Sequence, residues 1–261
     1  MKIAIIGSGN MGGAIAAGLV TNGICGAGSV VCTAATEATR EKISRAIPGI
    51  VVSGDNKVAV AGADWVFICV KPWLVAQIAG EIRNNLQPTA AIVSVASGID
   101  FAFLKNAFVA GTNRALFRVM PNTAVCCGQS MTFVAAENAS REQLEKVVEI
   151  FDKLGKTRVI TESQMAGAAA LASCGIAFAM RYVRAACEGG VELGFRPREA
   201  REIVLQTVRG AVELLEKSGD HIEAEIDRVT TPGGITIRGL NEMEANGFSN
   251  SVIKGLKAAK Q

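Results

Sequence analysis

The sequence predicts an α/β fold, a doubly wound parallel sheet, followed by an all-α C-terminal part. Three observations carry this. Short apolar runs alternate with helix-length segments from the first residue to about residue 160. Those runs are nearly uninterrupted by polar residues, the pattern of parallel strands buried on both faces. After Thr161 no strand pattern recurs, and apolar residues fall at helical spacing instead.

Ile3–Ile6 is the first strand, and a helix runs from Asn10 to Asn22 with Met11, Ile15 and Leu19 on one face before Gly23 ends it. Between them stands Gly7-Ser-Gly-Asn-Met-Gly12, with the spacing G-x-G-x-x-G. A strand, this turn and a helix together form the pyrophosphate cradle of a dinucleotide site. Gly7 allows the tight turn, Gly9 lets the backbone approach the pyrophosphate, and Gly12 lets helix and strand pack closely. Asn10 and Met11 bring the first helical N–H groups to the phosphate charge.

Val30–Thr33 is the second strand, and Glu37–Ala46 follows as a helix. Sites for NAD usually close this strand with a carboxylate that holds the ribose hydroxyls. Here Thr33-Ala34-Ala35-Thr36 stands in its place, with Arg40 near by. Thr33, Thr36 and Arg40 suit a 2′-phosphate, so NADP(H) is preferred, with NAD(H) as the alternative. Val51–Val52 is a short strand, Asp55 caps a short helix beginning at Asn56, and Asp64–Val70 is a strand ending at Lys71-Pro72. A helix over Trp73–Leu86 leads to the strand Ala90–Val95, which ends in Ala96-Ser97-Gly98. Ligands of such sheets sit outside the carboxyl ends of the strands. Val70, Lys71, Pro72 and Ala96 therefore join the glycine turn around one crevice. Strands at Ala115–Met120 and Gln129–Val134, a helix capped by Ser140 and ending at Leu154, and a last strand at Lys156–Ile160 complete the first domain, residues 1–160.

Residues 161–261 form the helical domain, with helices over Glu162–Leu193 and Pro197–Lys217. It is thin and apolar, and should bury its faces against a second copy. Met165–Met180 carries no charge. It is short for a membrane span and is expected to lie between protein partners, so no membrane is involved. One loop interrupts the helices. Thr230-Thr-Pro-Gly-Gly234 is a turn followed by a helical stretch from Ile235 to Ala245, another helix start that presents backbone N–H groups to an anion.

Composition excludes several classes. With 27 Lys and Arg against 24 Asp and Glu, the net charge of +3 gives no nucleic-acid surface. Seven cysteines, no C-x-x-C and a single His argue against a metal site. The cysteines read as reduced and buried, which places the protein in the cytoplasm, and adjacent Cys126 and Cys127 read as packing residues. His221 reads as an exposed residue near a helix start.

Taken together, Ile5-Ile-Gly-Ser-Gly-Asn-Met-Gly12, Cys69-Val-Lys-Pro72, Ser94-Val-Ala-Ser-Gly-Ile99, Arg118-Val-Met-Pro-Asn-Thr-Ala124 and Val229-Thr-Thr-Pro-Gly-Gly-Ile-Thr236 make the chain resemble the pyrroline-5-carboxylate reductases. These motifs occur in the family's order across nearly the whole chain. The resemblance implies a Rossmann-type dinucleotide-binding domain and an all-α C-terminal dimerisation domain, with helical domains interlocked in a homodimer and dimers often built into decamers. By the same resemblance Thr231, Gly233 and Gly234 hold the carboxylate of a small-molecule substrate. Thr236 hydrogen-bonds the ring nitrogen as the catalytic residue, Met120 and Asn122 lie beside the substrate, and Asn56 touches the adenosine ribose. The chain departs from the family at Ala172-Ser-Cys-Gly-Ile-Ala177, where a Ser-Gly-Ser-Gly-Pro-Ala run is usual.

The chemistry expected is hydride transfer to a cyclic imine. A protonated imine is already electrophilic and needs orientation more than a strong acid. Alcohol–ketone chemistry would call for a His, or for a Lys on the helix joining the domains, and no Lys occurs between Lys156 and Lys217. Two other readings stand beside this one: a reductase of a different cyclic imine, and a non-catalytic NADP-binding regulator.

Overall fold

Strand β1 (Ile3–Ile6) is fully buried and lies inside a sheet completed by β2 (Val30–Thr33), β3 (Val51–Ser53), β4 (Trp65–Ile68), β5 (Ala91–Ser94), β6 (Leu116–Met120), β7 (Ser130–Glu137) and β8 (Gly155–Val159). The computed structural model describes residues 1–109 and 113–260. Its sheet order is β3-β2-β1-β4-β5-β6-β7-β8. The chain runs outward from β1 to β3, then returns to the other side of β1 for β4. That reversal puts a topological switch point between β1 and β4. Ile5 pairs with Cys32 of β2 on one side and Phe67 of β4 on the other, both in parallel.

Two apolar layers cover the sheet, as its buried strands require. One face carries α1 (Asn10–Thr21), α2 (Glu37–Ala46) and α6 (Arg141–Asp152). Ile15, Leu19, Ile43, Ile150 and Phe151 pack there on Ile5, Phe67 and Phe117. The opposite face carries α3 (Asn56–Val60), α4 (Val75–Ile82), α5 (Phe101–Phe108) and the short α7 (Met165–Ala168), with Val60, Ile78, Ile82, Leu104 and Met165 on Ile6, Ile68 and Ile92. Alternate residues of each strand serve opposite layers, as the two-residue strand period requires.

Three sequence expectations are modified. β7 runs antiparallel to β6, because the two are joined by a 3₁₀ turn (Thr123–Cys127) and Gly128 at φ +70° rather than by a crossover helix. Helix α5, capped by the carboxylate of Asp100, which accepts from Phe103 N at 2.7 Å, had no counterpart in the periodicity reading. The single helix expected over Glu162–Leu193 is interrupted: a 3₁₀ turn (Glu162–Gln164) precedes α7, and a π-helical stretch (Ala169–Cys174) separates α7 from α8 (Gly175–Glu192).

The compact units are Met1–Ser173 and Cys174–Gln261, a division 13 residues beyond the expected boundary at 160. The intervening residues belong to the sheet unit for a physical reason. Met165 and Ala168 are buried in the second apolar layer, and the Glu162 carboxylate accepts from Arg118 Nη1 at 2.6 Å and from Phe101 N at 2.7 Å.

The second unit contains α8, α9 (Pro197–Ser218), α10 (Ile222–Val229), α11 (Ile235–Ala245) and α12 (Phe248–Ala259). Helices α8 and α9 pack where a Cβ on Gly190 would stand 3.0 Å from Ala200 Cβ, and Tyr182 meets Phe248 edge-on at 6.4 Å. Among the described residues of this unit only Ala200 is buried. Phe178, Met180, Leu193, Val212 and Leu214 are all exposed. By length and composition Glu162–Glu192 is apolar enough to cross a membrane, and 11% of its most apolar window is buried.

Candidate functional site

In the sheet unit the glycine turn closes around the switch point. Gly7 has φ +93°, a conformation that a side chain would strain. A Cβ there would stand 2.6 Å from Val70 Cγ1 and 3.1 Å from the backbone of Cys69, so the turn after β1 abuts the segment after β4. Gly12 is closed in for a different reason: its Cβ would meet Gly7 O at 2.4 Å. Nothing lies within 4 Å of a Cβ on Gly9, whose edge is open to a ligand. Helix α1 begins at Asn10 with no capping side chain and no acidic residue in its first turn. Its leading N–H groups are thus free for an anion. Asn10 is exposed, and Met11 is half-buried against the first apolar layer. Backbone bonds hold the neighbouring strand ends in line: Cys69 N donates to Ile6 O at 2.8 Å and Val95 N to Ile68 O at 3.0 Å, which brings Val70 and the buried Ala96 to the same end of the sheet. Lys71 is exposed, and Pro72 opens the 3₁₀ turn that follows.

The sequence-assigned residues around β2 and β3 divide by role. Thr33 is buried and holds the turn: its Oγ1 accepts from Gly7 N at 3.3 Å and its carbonyl from Ser8 N at 2.7 Å. Arg40 reaches back from α2, with Nη1 donating to the carbonyls of Ala34 at 2.9 Å and Ala35 at 3.3 Å. Those bonds fix the guanidinium over the tip of β2 and leave its Nε and Nη2 groups available to an anion. Thr36 caps α2 and accepts from Thr39 N. Asn56 donates from Nδ2 to Glu81 Oε2 at 3.1 Å, which leaves its carbonyl oxygen for a ligand.

Asn122, expected beside the substrate, is engaged within the protein. Its Oδ1 accepts from Ala124 N at 3.0 Å, capping the 3₁₀ turn, and its Nδ2 donates to Ala172 O at 3.4 Å. Buried and bonded at both ends, this side chain ties the turn to Ala172. Met120 is half-buried at the end of β6. The Arg118–Glu162 pair escaped the sequence reading, although an arginine inside an otherwise apolar strand was a visible signal.

In the helical unit, Gly233 takes φ +71° and lets the turn double back. A Cβ on Gly234 would stand 2.5 Å from Thr231 Oγ1. The Gly234 N–H donates to Thr231 O at 2.9 Å and is therefore turned inward, not free for a carboxylate as expected. Arg238 Nη2 donates to Gly233 O at 3.0 Å. Helix α11 starts at Ile235 without a capping side chain or an acidic first turn, so Thr236 sits in a second uncapped helix start. Thr231 is exposed and Thr236 half-buried. His221 caps α10 by accepting from Glu223 N at Nδ1, an exposed structural role.

The cysteines do not all follow expectation. All seven are free. Burial pushes the Cys32 thiol up to about 11, and the nearby Ser8 hydroxyl offsets only part of that. Burial, and then the proximity of Cys32, push the Cys69 thiol up as well. Cys126 and Cys127 are exposed rather than packed, because the 3₁₀ turn points Val125 inward and leaves the next two residues outside. No group of three or more His, Cys, Asp or Glu able to hold a metal exists among the described residues.

A family model for pyrroline-5-carboxylate reductase dimerisation matches residues 162–261, and one for NADP oxidoreductase, coenzyme F420-dependent, matches residues 2–98. Pyrroline-5-carboxylate reductase 2 of Dictyostelium discoideum is 38% identical over 270 residues, covering 98% of this chain and 89% of its own length. The chain belongs to the pyrroline-5-carboxylate reductase family. Pyrroline-5-carboxylate reductase 1 of the same organism is also 38% identical, over 97% of this chain, and the chain spans about half (48%) of that relative's length. The reductase of Plasmodium falciparum, solved with NADP bound, superposes with a TM-score of 0.89 at 25% identity, covering 99% of this chain and 95% of that one.

Proposed function

We propose that this chain reduces 1-pyrroline-5-carboxylate to L-proline with NADPH. The observation that supports this most is the presence, in one member of the reductase family, of two helix starts without capping side chains, α1 after the glycine turn and α11 after the Thr-Thr-Pro-Gly-Gly turn. Each suits one of the two anionic groups the reaction must bind, a pyrophosphate and a carboxylate.

Bound in the crevice, NADPH supplies the hydride from C4 of its dihydronicotinamide. The open edge of Gly9 and the first N–H groups of α1 hold the pyrophosphate, and the free edge of Arg40 pairs with the 2′-phosphate. Lys71, Pro72, Val70 and Ala96 line the crevice, with the Asn56 carbonyl toward the ribose. Thr231, the Gly233 amide and the leading amides of α11 hold the substrate carboxylate. The Thr236 hydroxyl hydrogen-bonds the ring nitrogen and helps deliver the proton, drawn ultimately from solvent, that makes the imine electrophilic. No strong general acid is required, because the protonated imine already accepts hydride at carbon. Met120 shapes the substrate's surroundings through the turn that Asn122 caps.

The protein works as a homodimer or a higher homo-oligomer, soluble in the cytoplasm. The match to a dimerisation model and the near absence of buried residues in the helical unit support the assembly. A second reading, reduction of a different cyclic imine, draws support from the departure at 172–177, part of which lies in the π-helical stretch; such irregular turns are frequent at functional sites.

The test is NADPH oxidation with 1-pyrroline-5-carboxylate and a panel of other cyclic imines, with proline identified as product. Tight NADPH binding without turnover would replace the proposal by a regulator. Faster turnover of another imine would replace the substrate. Thr236→Ala should lower turnover far more than NADPH affinity, and equal losses would remove the role given to its hydroxyl.

A further inference from the structure

Cys126 and Cys127 stand consecutively on the exposed side of the 3₁₀ turn Thr123–Cys127. Several contacts tie this turn to the sheet unit. Asn122 caps its start through Ala124 N, Gly128 closes it in the left-handed conformation, and Val125 is buried beneath it in the first apolar layer. The Asn122 backbone is tied to β7 as its N–H donates to Ser130 Oγ at 3.1 Å. Cys127 Sγ donates to Ala124 O at 3.2 Å, its one hydrogen bond among the described residues. Both thiols of this consecutive pair are therefore open to solvent, unlike the inward Cys32 and Cys69, whose thiols burial keeps protonated.

The spacing decides what such a pair can take. Consecutive Cα atoms lie about 3.8 Å apart across a trans peptide, shorter than the roughly 4.4–6.8 Å that an unstrained disulfide spans. A direct S–S bond is strained, whereas one soft atom inserted between the sulfurs relieves that strain. Thiols favour soft, polarisable centres. With no third ligating side chain in reach of a metal cluster, the fitting centre is one that is satisfied by two sulfurs and carries its own third substituent. We infer that Cys126–Cys127 is a capture site for monosubstituted trivalent arsenicals. The step balances without an oxidant: an organoarsenic(III) oxide and two thiols give a cyclic dithioarsenite and one water, with two S–H bonds lost, two As–S bonds formed and the oxide oxygen leaving as water. Because the turn follows directly on Met120-Pro121-Asn122, the adduct should also inhibit imine reduction, a consequence that rests on the function proposed above.

Phenylarsine oxide tests both parts on the full-length protein. Intact mass after one equivalent should show one phenylarsenic group per chain, removed by a dithiol and resistant to a monothiol. The adduct should be lost in Cys126→Ser and in Cys127→Ser, and kept in Cys25→Ser, Cys174→Ser and Cys187→Ser. An undiminished adduct in the Cys126→Ser/Cys127→Ser double variant, or no adduct in the parent, overturns the site. In the parent, most NADPH oxidation should disappear with the adduct and return with the dithiol, while the double variant stays active throughout. Full turnover with the adduct in place overturns the inhibition. Failure of the untreated protein to turn over belongs to the functional proposal and leaves the mass measurement decisive for the site.

Discussion

The three glycines of the first turn do different work, and substitution should separate them. At Gly12 an added Cβ meets backbone oxygen at 2.4 Å, which only a shift of α1 can relieve. Gly12→Ala is expected to cost about 1–3 kcal/mol of stability, as overpacking does, and to weaken NADPH binding with it. At Gly9 the added methyl meets nothing in the protein. Gly9→Ala should change stability much less and yet weaken NADPH, a contrast that thermal denaturation and a fluorescence titration can read on the same samples. Arg40 offers a cleaner test of cofactor choice. Arg40→Met removes charge-assisted bonds of about 1.5–3 kcal/mol, so KM for NADPH should rise about tenfold to a hundredfold while KM for NADH stays nearly constant. A parallel rise for both cofactors would show that Arg40 only braces the tip of β2. The glycines and the missing carboxylate were legible in sequence because they are local features. That Thr33 and Asn122 are spent on the backbone, and that the Gly234 N–H turns inward, was not, since a side chain's partners depend on where distant or doubled-back segments lie.

Among the elements, the segment from Glu162 to Ala168 changes sides most clearly between sequence and structure. Its composition belongs to the helical part, but its contacts belong to the sheet. One carboxylate does much of this, joining Arg118 of β6 to the first N–H of α5. Glu162→Ala should destabilise the sheet unit by about 1–3 kcal/mol, because it leaves a half-buried arginine and a backbone donor unsatisfied. Glu162→Gln should recover part of the loss. Denaturant titration of both variants checks the order, and equal stability of all three proteins would contradict it. Strands β1, β2, β4 and β5 were readable because their continuous apolar runs have no alternative burial. The direction of β7 was not readable, because a 3₁₀ turn and a loop of the same length look alike in composition.

At the scale of the whole molecule the two units are unequal. The sheet has two complete apolar layers, whereas the helical unit exposes Met180, Leu193, Val212 and Leu214 and buries only Ala200 among its described residues. A unit so lacking in buried surface does not offset the entropy of ordering its chain unless another surface covers it. Sedimentation at micromolar concentration, without detergent, should therefore find at least a dimer. A stable monomer would contradict the proposed assembly, and a requirement for detergent would turn attention to the apolar stretch Glu162–Glu192 as a membrane segment.

By itself the sequence determined the parallel strands β1 to β6, the glycine turn after the first of them, the second helix start after Thr230–Gly234 and the family to which they belong. These depend on periodicity and on residue types at fixed short spacing, which are written along the chain. Only the tertiary structure decided that β4 returns beside β1 to make the switch point, that Glu162 fastens residues 162–168 to the sheet, and that Cys126 and Cys127 face solvent instead of the core. Each of those depends on which distant residues become neighbours, and packing settles that over separations no local pattern spans.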